Sequence, residues 1–249
     1  MNLSGIARET WIGSLLRAPL RLIPTQACLP ILQGRLRGYR WIAGAATHGC
    51  WLGSYESAKQ NTFQQWVGEG DVVYDIGANV GFYTLLASNL VGDSGRVVAF
   101  EPVKRNLHFL RRHLAINKVI NVCVIEAAVS ERPGQAKFDE SSNPSMGHLT
   151  TEGQIIVPCV TLDALVEKSA IPPPNCLKID VEGAEDEVLC GAERLISQYR
   201  PIIFLATHGE EVRTKCLGRL AKHGYVATPI TGKEIPFADE FVLISGGRA

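Results

Sequence analysis

Apolar segments of strand length alternate with segments of helical periodicity from Glu56 onward. This alternation is typical of βαβ units built around a mainly parallel sheet. The predicted buried strands cover residues 72–76, 97–100, 122–125, 176–179 and 202–206. The predicted helices cover residues 80–90, 103–116, 184–196 and 211–223. The sequence therefore predicts an α/β protein with a Rossmann-like fold.

Two later segments depart from this rhythm. Residues 128–160 hold several glycines among short β-prone pieces, so we expect an antiparallel excursion or a mobile loop there. Loops of this kind often close over a substrate. Residues 224–228 and 241–245 are two predicted strands on either side of a polar turn region. They predict a C-terminal antiparallel hairpin that completes the sheet.

The first 55 residues differ in composition from the rest of the chain. They are rich in arginine, and Glu9 is their single acidic residue. Pro19, Pro24 and Pro30 exclude one long helix. We predict that residues 1–55 form an extension of short helices packed against a Rossmann-like domain at residues 56–249. A cofactor lid, a dimer surface and a membrane-surface contact are alternative roles for this extension.

The charge balance bears on the kind of partner. The chain has 25 basic and 25 acidic residues and a formal net charge of zero. Nucleic-acid binding usually shows as a basic excess, so we expect a small-molecule partner and no nucleic acid. The oligomeric state is left open.

The cysteines and the hydropathy bear on location. The seven cysteines are scattered without a Cys-x-x-Cys pair, which favours reduced thiols in a cytoplasmic protein. No uninterrupted apolar run approaches the ~18 residues that a membrane span requires, so no transmembrane segment is predicted. Arg8, Glu9 and Arg17 interrupt the N-terminal apolar residues, and a signal peptide is therefore not predicted.

A glycine turn follows the first predicted strand of the Rossmann-like domain. Asp75 is followed by Gly77-Ala-Asn-Val-Gly81 and then by the start of a helix. Glycines at these places let the backbone approach a ligand closely. Glu101 comes twenty residues after Gly81, at the end of the next strand, where a carboxylate can accept hydrogen bonds from both ribose hydroxyls. The pattern predicts a site for a nucleoside.

The chemistry of this turn favours S-adenosylmethionine over a dinucleotide. A pyrophosphate requires the Gly-x-Gly-x-x-Gly turn and a helix N-terminus free to face an anion. This turn has glycines only at Gly77 and Gly81, and Asp75 precedes it. A carboxylate repels a phosphate and attracts an ammonium or a sulfonium. An oxidoreductase that binds NAD remains an alternative.

A second group of charged residues follows the predicted strand 176–179. Lys178, Asp180 and Glu182 lie at its carboxyl end, and in an open α/β sheet this edge forms the binding crevice. We expect these side chains to converge on the glycine turn, although about 100 residues separate the two motifs. A solvated strand-to-helix turn is the alternative interpretation.

The chain resembles the FkbM family of methyltransferases. The resemblance covers roughly residues 56–206 and beyond. It rests on Tyr55-Glu56, Asp75-Ile-Gly-Ala-Asn-Val-Gly81, Phe100-Glu-Pro102, Ala128-Val-Ser130, Thr161-Leu-Asp163 and Lys178-Ile-Asp-Val-Glu-Gly-Ala-Glu185. It implies a class I fold and O-methylation of a hydroxyl on a sugar or natural-product-like molecule, with S-adenosylmethionine as cofactor. The donor pocket that it implies comprises Glu56, Asp75, Gly77, Asn79, Gly81, Glu101 and Asp180. We expect the neighbouring residues Ala78, Phe82, Tyr83, Pro102, Glu126 and Ala127 to contribute as well.

One departure from the family affects the catalytic residues. Family members commonly have a Glu two residues before a His, and here Ala206 stands two residues before His208. His208 is the first candidate for the base that removes the acceptor proton, because imidazole titrates near neutrality. Asp180 is the second candidate. The departure leaves open a protein that binds the cofactor without catalysis. We predict no metal site, because no compact carboxylate cluster demands one.

Overall fold

The computed structural model describes residues 20, 22–139, 148–149 and 155–246. Its centre is a seven-stranded sheet in the order β12-β13-β11-β10-β3-β4-β5. The strands are β3 (Val72–Ile76), β4 (Arg96–Phe100), β5 (Val122–Ile125), β10 (Cys176–Ile179), β11 (Ile202–Ala206), β12 (Tyr225–Pro229) and β13 (Glu240–Ser245). Strands β11, β10, β3, β4 and β5 are parallel to one another. The prediction of an α/β fold with a mainly parallel sheet is confirmed.

Seven helices accompany this sheet in the described part of the chain. They are α2 (Ser57–Trp66), α3 (Phe82–Val91), α4 (Lys104–Ile116), α5 (Leu162–Glu167), α6 (Glu185–Cys190), α7 (Glu193–Tyr199) and α8 (Glu210–Lys222), and a short α1 (His48–Leu52) precedes them. Side chains of β4 alternate between two cores, with Val97 and Ala99 in one and Val98 and Phe100 in the other. The sheet is therefore covered on both faces, which is why its parallel strands are almost wholly apolar.

The single helix predicted over residues 184–196 is wrong, because the structure has two helices, α6 and α7. The carbonyl of Gly191 accepts a hydrogen bond from the amide of Asp163. The carboxylate of Asp163 also accepts from the amides of Arg194 and Leu195, in the first turn of α7. The backbone amide of Asp163 thus binds the chain just after α6, and its carboxylate caps the start of α7.

The predicted C-terminal hairpin is confirmed. Strands β12 and β13 pair in antiparallel fashion, with Tyr225 opposite Ser245. Strand β13 also pairs with β11 in antiparallel fashion, so the hairpin extends the sheet on the β11 side. This arrangement brings Glu240, at the start of β13, beside Ala206, at the carboxyl end of β11.

A second sheet lies in residues 128–160, the segment predicted to interrupt the alternation of strands and helices. It has four strands in the order β6-β9-β7-β8, which are β6 (Ala128–Val129), β7 (Gly134–Asp139), β8 (His148–Leu149) and β9 (Ile155–Val160). Strands β7 and β9 are antiparallel, so the predicted antiparallel excursion is confirmed in the described part. Residues 140–147 and 150–154 lie outside the described residues, and closure over a substrate stays a prediction.

The N-terminal segment differs from the prediction of short helices alone. Between residues 22 and 55 the structure has a hairpin of β1 (Cys28–Pro30) and β2 (Arg40–Ile42), followed by the single helix α1. Gly34 and Gly38 have positive φ, which lets the chain reverse between the two strands. Residues 1–19 and 21 lie outside the described residues, so helices there and the boundary at residue 55 stay predictions.

One buried imidazole ties this segment to the main sheet. The ring of His113 in α4 stacks on Trp41 of β2, with 3.8 Å between ring centroids. Its Nε2 accepts a hydrogen bond from the amide of Ile42, and its Nδ1 lies 2.7 Å from the carbonyl oxygen of Val80. Both contacts are made at once only by a neutral ring that is protonated on Nδ1. Burial lowers the pKa of His113 to about 4.

The stability of the protein should depend on pH through His113. Its pKa is about 4 in the folded protein and about 6.5 when unfolded, so the unfolded chain binds the proton more readily. We expect the free energy of unfolding to fall by about 3 kcal/mol from this group as pH drops from 6.5 to 4. Chemical denaturation of the wild type and of H113Q measures this loss as their difference in pH dependence. The control H108Q removes an exposed imidazole of α4 and should keep the wild-type dependence; an equal dependence in H113Q would contradict the assignment.

Candidate active site

A cavity of about 690 Å³ lies at the carboxyl ends of β3, β4, β10 and β11. Its size is that of a pocket for a small molecule or cofactor. Ten of the thirteen predicted cofactor residues line it: Glu56, Gly77, Ala78, Asn79, Phe82, Tyr83, Glu101, Pro102, Ala127 and Asp180. Both predicted catalytic residues, His208 and Asp180, line it as well. The structure thus brings together motifs from four different strand ends.

The glycine turn approaches the neighbouring strand so closely that it excludes a side chain. Gly77 has a φ of 76°, and a Cβ there would clash with the backbone carbonyl of Asp180. Gly81 has a φ of 93°, and a Cβ there would clash with Leu110 of α4. Gly81 therefore serves the packing of the turn on α4 and does not line the cavity itself.

The amides of the turn are already bound within the protein. Gly77 and Ala78 both donate to the carbonyl of Phe100, and Gly81 donates to the carbonyl of Ala78. The amide of Asn79 donates to Glu101 at 2.8 Å. A phosphate cradle requires free amides that point at the anion. These four amides are committed, so the turn is not built to hold a pyrophosphate.

Glu101 is a buried carboxylate, and backbone amides hold both of its oxygens in place. Its Oε2 accepts from the amide of Asn79, and its Oε1 accepts from the amide of Val103 at 2.9 Å. Burial raises the pKa of Glu101 to about 7, although these hydrogen bonds oppose the rise. The carboxylate lines the cavity at the end of β4, where the sequence predicts a partner for ribose hydroxyls.

Asp75 lies among the buried residues behind the cavity lining. Its Oδ2 accepts a hydrogen bond from Thr84 at 2.6 Å, and its Oδ1 lies 3.1 Å from Lys178 Nζ. Lys178 also donates to the carbonyl of Gly77 at 2.9 Å. In the structure Asp75 therefore binds Lys178 and, through it, stabilises the turn, whereas the sequence predicts a direct contact between Asp75 and the cofactor.

A buried lysine that sequence reasoning missed neutralises the acids of the cavity. Lys59 Nζ in α2 lies 3.2 Å from Asp180, 3.4 Å from Glu56 and 3.0 Å from Glu240. Burial disfavours the charge on Lys59, but these three acids outweigh it and raise its pKa above the usual value. Burial likewise opposes ionisation of Asp180, but Lys59 and Lys178 prevail and lower the pKa of Asp180 to about 2. Both partners therefore stay charged.

His208 follows β11 and is surrounded by carboxylates. Its Nδ1 lies 2.8 Å from Glu185, and its Nε2 lies 3.2 Å from Glu182 and 3.9 Å from Asp180. The hydrogen bond to Glu185 is the largest influence on its pKa; burial opposes it, and the other acids add to it. Together they raise the pKa of His208 to about 9. Sequence reasoning found His208 but missed Glu185 as its partner.

Ligand-capable atoms of Asp180, Glu182 and His208 lie within 4.8 Å of one another. A cation could bridge such a spacing, but the ion pairs of His208 with both acids already account for it. We assign no metal here, and the metal-free site stays a prediction.

Residues outside the predicted motifs complete the cavity wall. The N-terminal segment contributes Thr47, Cys50 and Tyr55. The loop between β12 and β13 contributes Thr231, Lys233 and Asp239, and the first residue of β13 contributes Glu240. The Tyr55-Glu56 pair of the family resemblance was the sequence signal for Tyr55, whereas the sequence gives no sign of the loop.

The structure does not bring Glu126 to the cavity. Its side chain is about half exposed and pairs with Arg111 of α4 on the outer surface. Ala127, the next residue, is buried and lines the cavity. Adjacent side chains in an extended segment point in opposite directions, which explains why one faces the cavity and the other does not.

The lining of the cavity fits a cationic donor. Among its described residues six are acidic, namely Glu56, Glu101, Asp180, Glu182, Asp239 and Glu240, whereas two are lysines. The hydroxyl of Tyr83 is also buried in this wall, next to the carboxylate of Glu56.

Backbone strain also concentrates here. Glu56, Asn79 and Glu182 have φ of 45°, 50° and 56°, and all three line the cavity. Non-glycine residues rarely adopt such values, and the cost persists only where the surrounding structure enforces it. The strain accords with a site held in shape before any ligand binds.

Comparison with known proteins defines the class of the fold. A methylase from Clostridium thermocellum, provisionally assigned to rRNA, superposes with a TM-score of 0.50 at 14% identity, covering 75% of this chain and 92% of that one. At that identity the likeness shows the fold alone, which is the Rossmann-like class I methyltransferase fold. No helix in the described part of the chain has the length and apolar character that a membrane crossing needs.

The family follows from the sequence match. Residues 75–226 match the Methyltransferase FkbM domain, over more than half of the chain. The chain belongs to the FkbM family of methyltransferases. Hexuronic acid methyltransferase AglP of Haloferax volcanii is 29% identical over 165 residues, which are 66% of this chain and 66% of that protein. The chain thus matches just under two thirds of that relative's length.

The placement of Glu101 and Glu126 gives a matched test of the donor site. We expect E101Q to weaken binding of S-adenosylhomocysteine by roughly 10- to 100-fold, because a charged hydrogen-bond acceptor contributes ~1.5–3 kcal/mol. E126Q makes the same chemical change on the outer surface and should bind like the wild type. Isothermal titration calorimetry measures both, with thermal melting to confirm that each variant is folded. Weak binding by E126Q together with normal binding by E101Q would contradict the placement.

Proposed function

We propose that the protein transfers the methyl group of S-adenosylmethionine to a hydroxyl of a sugar-like small molecule. The observation that carries this proposal is the acidic cavity, in which the donor turn and His208 face one space at the carboxyl edge of the sheet. The FkbM family match and the similarity to a hexuronic acid methyltransferase support a sugar-like acceptor. The balanced charge of the chain supports a small molecule in preference to a nucleic acid.

The donor half of the site is assigned to the acids nearest the turn. Glu101 would accept hydrogen bonds from the ribose hydroxyls, and Glu56 and Asp180 would attract the ammonium and sulfonium charges. Asp180 suits this role because Lys59 and Lys178 keep it ionised at every working pH. When bound, the donor supplies a methyl group on a positively charged sulfur, which departs as a neutral thioether.

The protein's own task in the transfer is alignment and proton removal. A displacement at carbon requires the acceptor oxygen in line with the bond that breaks, and a closed cavity holds it there. His208 Nε2 would receive the hydroxyl proton. We prefer His208 to Asp180 as the base, because a carboxylate with a pKa of about 2 has little affinity for a proton.

Two alternative functions are less well supported. An NAD-dependent oxidoreductase requires a pyrophosphate cradle, whereas four amides of the turn are bound within the protein and the cavity wall is acidic. A binding protein without catalysis would lack an oriented base. His208 has a fixed carboxylate partner, which supports catalysis despite Ala206.

We also propose that the protein works in the cytoplasm. Six of its seven cysteines, namely Cys28, Cys50, Cys123, Cys159, Cys190 and Cys216, are free thiols in the structure, and three of these six are buried. Free thiols of this number are typical of a reducing compartment.

The proposed reaction predicts an alkali-stable methyl ether as product. We expect radiolabelled methyl from S-adenosylmethionine to pass to a hexuronic acid or a related sugar, and the label to survive mild alkali. H208A should lower kcat by about 100-fold or more, because it removes the base, while donor binding by calorimetry stays normal. An alkali-labile product would mean a carboxylate acceptor, which needs no base, and would contradict the role of His208. Full turnover by H208A would contradict it too.

A further inference from the structure

Glu185 is a fully buried carboxylate at the start of α6, and it does not line the cavity. Its Oε1 accepts hydrogen bonds from the amides of Gly183 at 3.0 Å and Val181 at 3.4 Å. The same oxygen lies 2.8 Å from Nδ1 of His208. A buried charge is costly unless it is paired and hydrogen-bonded, so these three contacts are what hold the carboxylate in place.

We propose that Glu185 is the positioning residue of the transfer, which fixes the orientation and the tautomer of the His208 ring. With its Nδ1 proton donated to Glu185, the neutral ring keeps its lone pair on Nε2. Nε2 is also the atom that lies near Asp180 and Glu182, on the cavity side. The inference rests on the proposed role of His208 as base.

Glu185 gives His208 a carboxylate partner although position 206 is Ala. Ala206 lies on β11, two residues before His208, and lines the cavity without a charged group. Glu185 reaches the same imidazole from the end of the adjacent strand β10, through the tight turn at Glu182 and Gly183. The backbone amides of that turn fix the carboxylate, so the orienting acid comes from a neighbouring strand.

The groups that face His208 set the direction of its pH dependence. Glu185 faces its Nδ1, Glu182 and Asp180 face its Nε2, and Asp180 is itself paired with Lys59 and Lys178. The raised pKa of His208 means that the imidazole carries a proton at neutral pH. The base form, and with it the rate, should increase as pH rises toward 9.

The groups named above account for every proton and electron pair that moves in the methyl transfer. The acceptor O–H bond breaks and its proton passes to Nε2, while the oxygen electron pair forms the bond to the methyl carbon. The carbon–sulfur bond breaks, and its electrons remain on sulfur as a neutral thioether. The imidazolium then releases its proton to solvent, and Glu185 stays ionised throughout.

The test is the titration of the His208 ring, followed by ¹⁵N NMR in the whole protein without acceptor. In the wild type above its midpoint, the ring should carry its proton on Nδ1; a ring protonated on Nε2 would overturn the proposal without any variant. E185Q should lower the titration midpoint by about one pH unit or more, because it removes the nearest negative charge. The rising limb of the kcat profile should move down in pH with it.

E187Q is the matched control for this change. Glu187 lies in the same helix but accepts a hydrogen bond from Ser130. The His208 ring should therefore titrate in E187Q as it does in the wild type. A wild-type midpoint in E185Q would overturn the positioning role. If His208 is not the base, H208A turns over normally. The midpoint of the His208 titration in E185Q tests separately whether Glu185 controls the protonation of the ring.

Discussion

The pairing of β3 with β10 is the constraint on which the rest of the site depends. These strands are about 100 residues apart in sequence, yet they lie side by side with Asp75 opposite Lys178. The amide of Asp180 then donates to the carbonyl of Ile76, and Gly77 passes directly over the carbonyl of Asp180. Because the parallel strands end at one edge, the glycine turn and the acids that follow β10 are brought into one cavity.

That close approach explains why two lysines are buried at a site for a cation. The strand ends bring Asp75 and Asp180 near each other, with Glu56 and Glu240 close by, and so many acids would repel one another in a poorly solvated space. Lys178 pairs with Asp75 and Lys59 pairs with Asp180, so these carboxylates are compensated before any ligand arrives. Lys59 is shared among Asp180, Glu56 and Glu240, so the two lysines offset only part of these acids and the cavity keeps an excess of negative groups.

The sequence predicts well those features that follow from local pattern and from strand direction. The strand ranges, the strained turn at Gly77, the acid at Glu101 and the convergence of Lys178 with that turn all follow from apolar runs and from the edge rule for parallel sheets. The side-chain direction at Glu126 was beyond that reasoning, because a pattern places a residue near a strand end without fixing which way it points. Its partner Arg111 decides that direction.

Other features depend on contacts between distant segments. The helix break at Gly191 requires Asp163, and the burial of Lys59 requires Asp180 and Glu240. The local sequence does not predict such contacts, because each of these residue types is typical of an exposed helix or loop. Glu185 is similar: its sequence position suggests a helix N-terminus, and only the fold brings it to His208.

The central claim is that this edge of the sheet binds a cationic donor and not a dinucleotide. Parallel calorimetric titrations with S-adenosylmethionine, S-adenosylhomocysteine and NAD test it most directly. We expect binding of the first two with dissociation constants of micromolar order and no binding of NAD, because four amides of the turn are already bound within the protein. Binding of NAD alone would contradict the account.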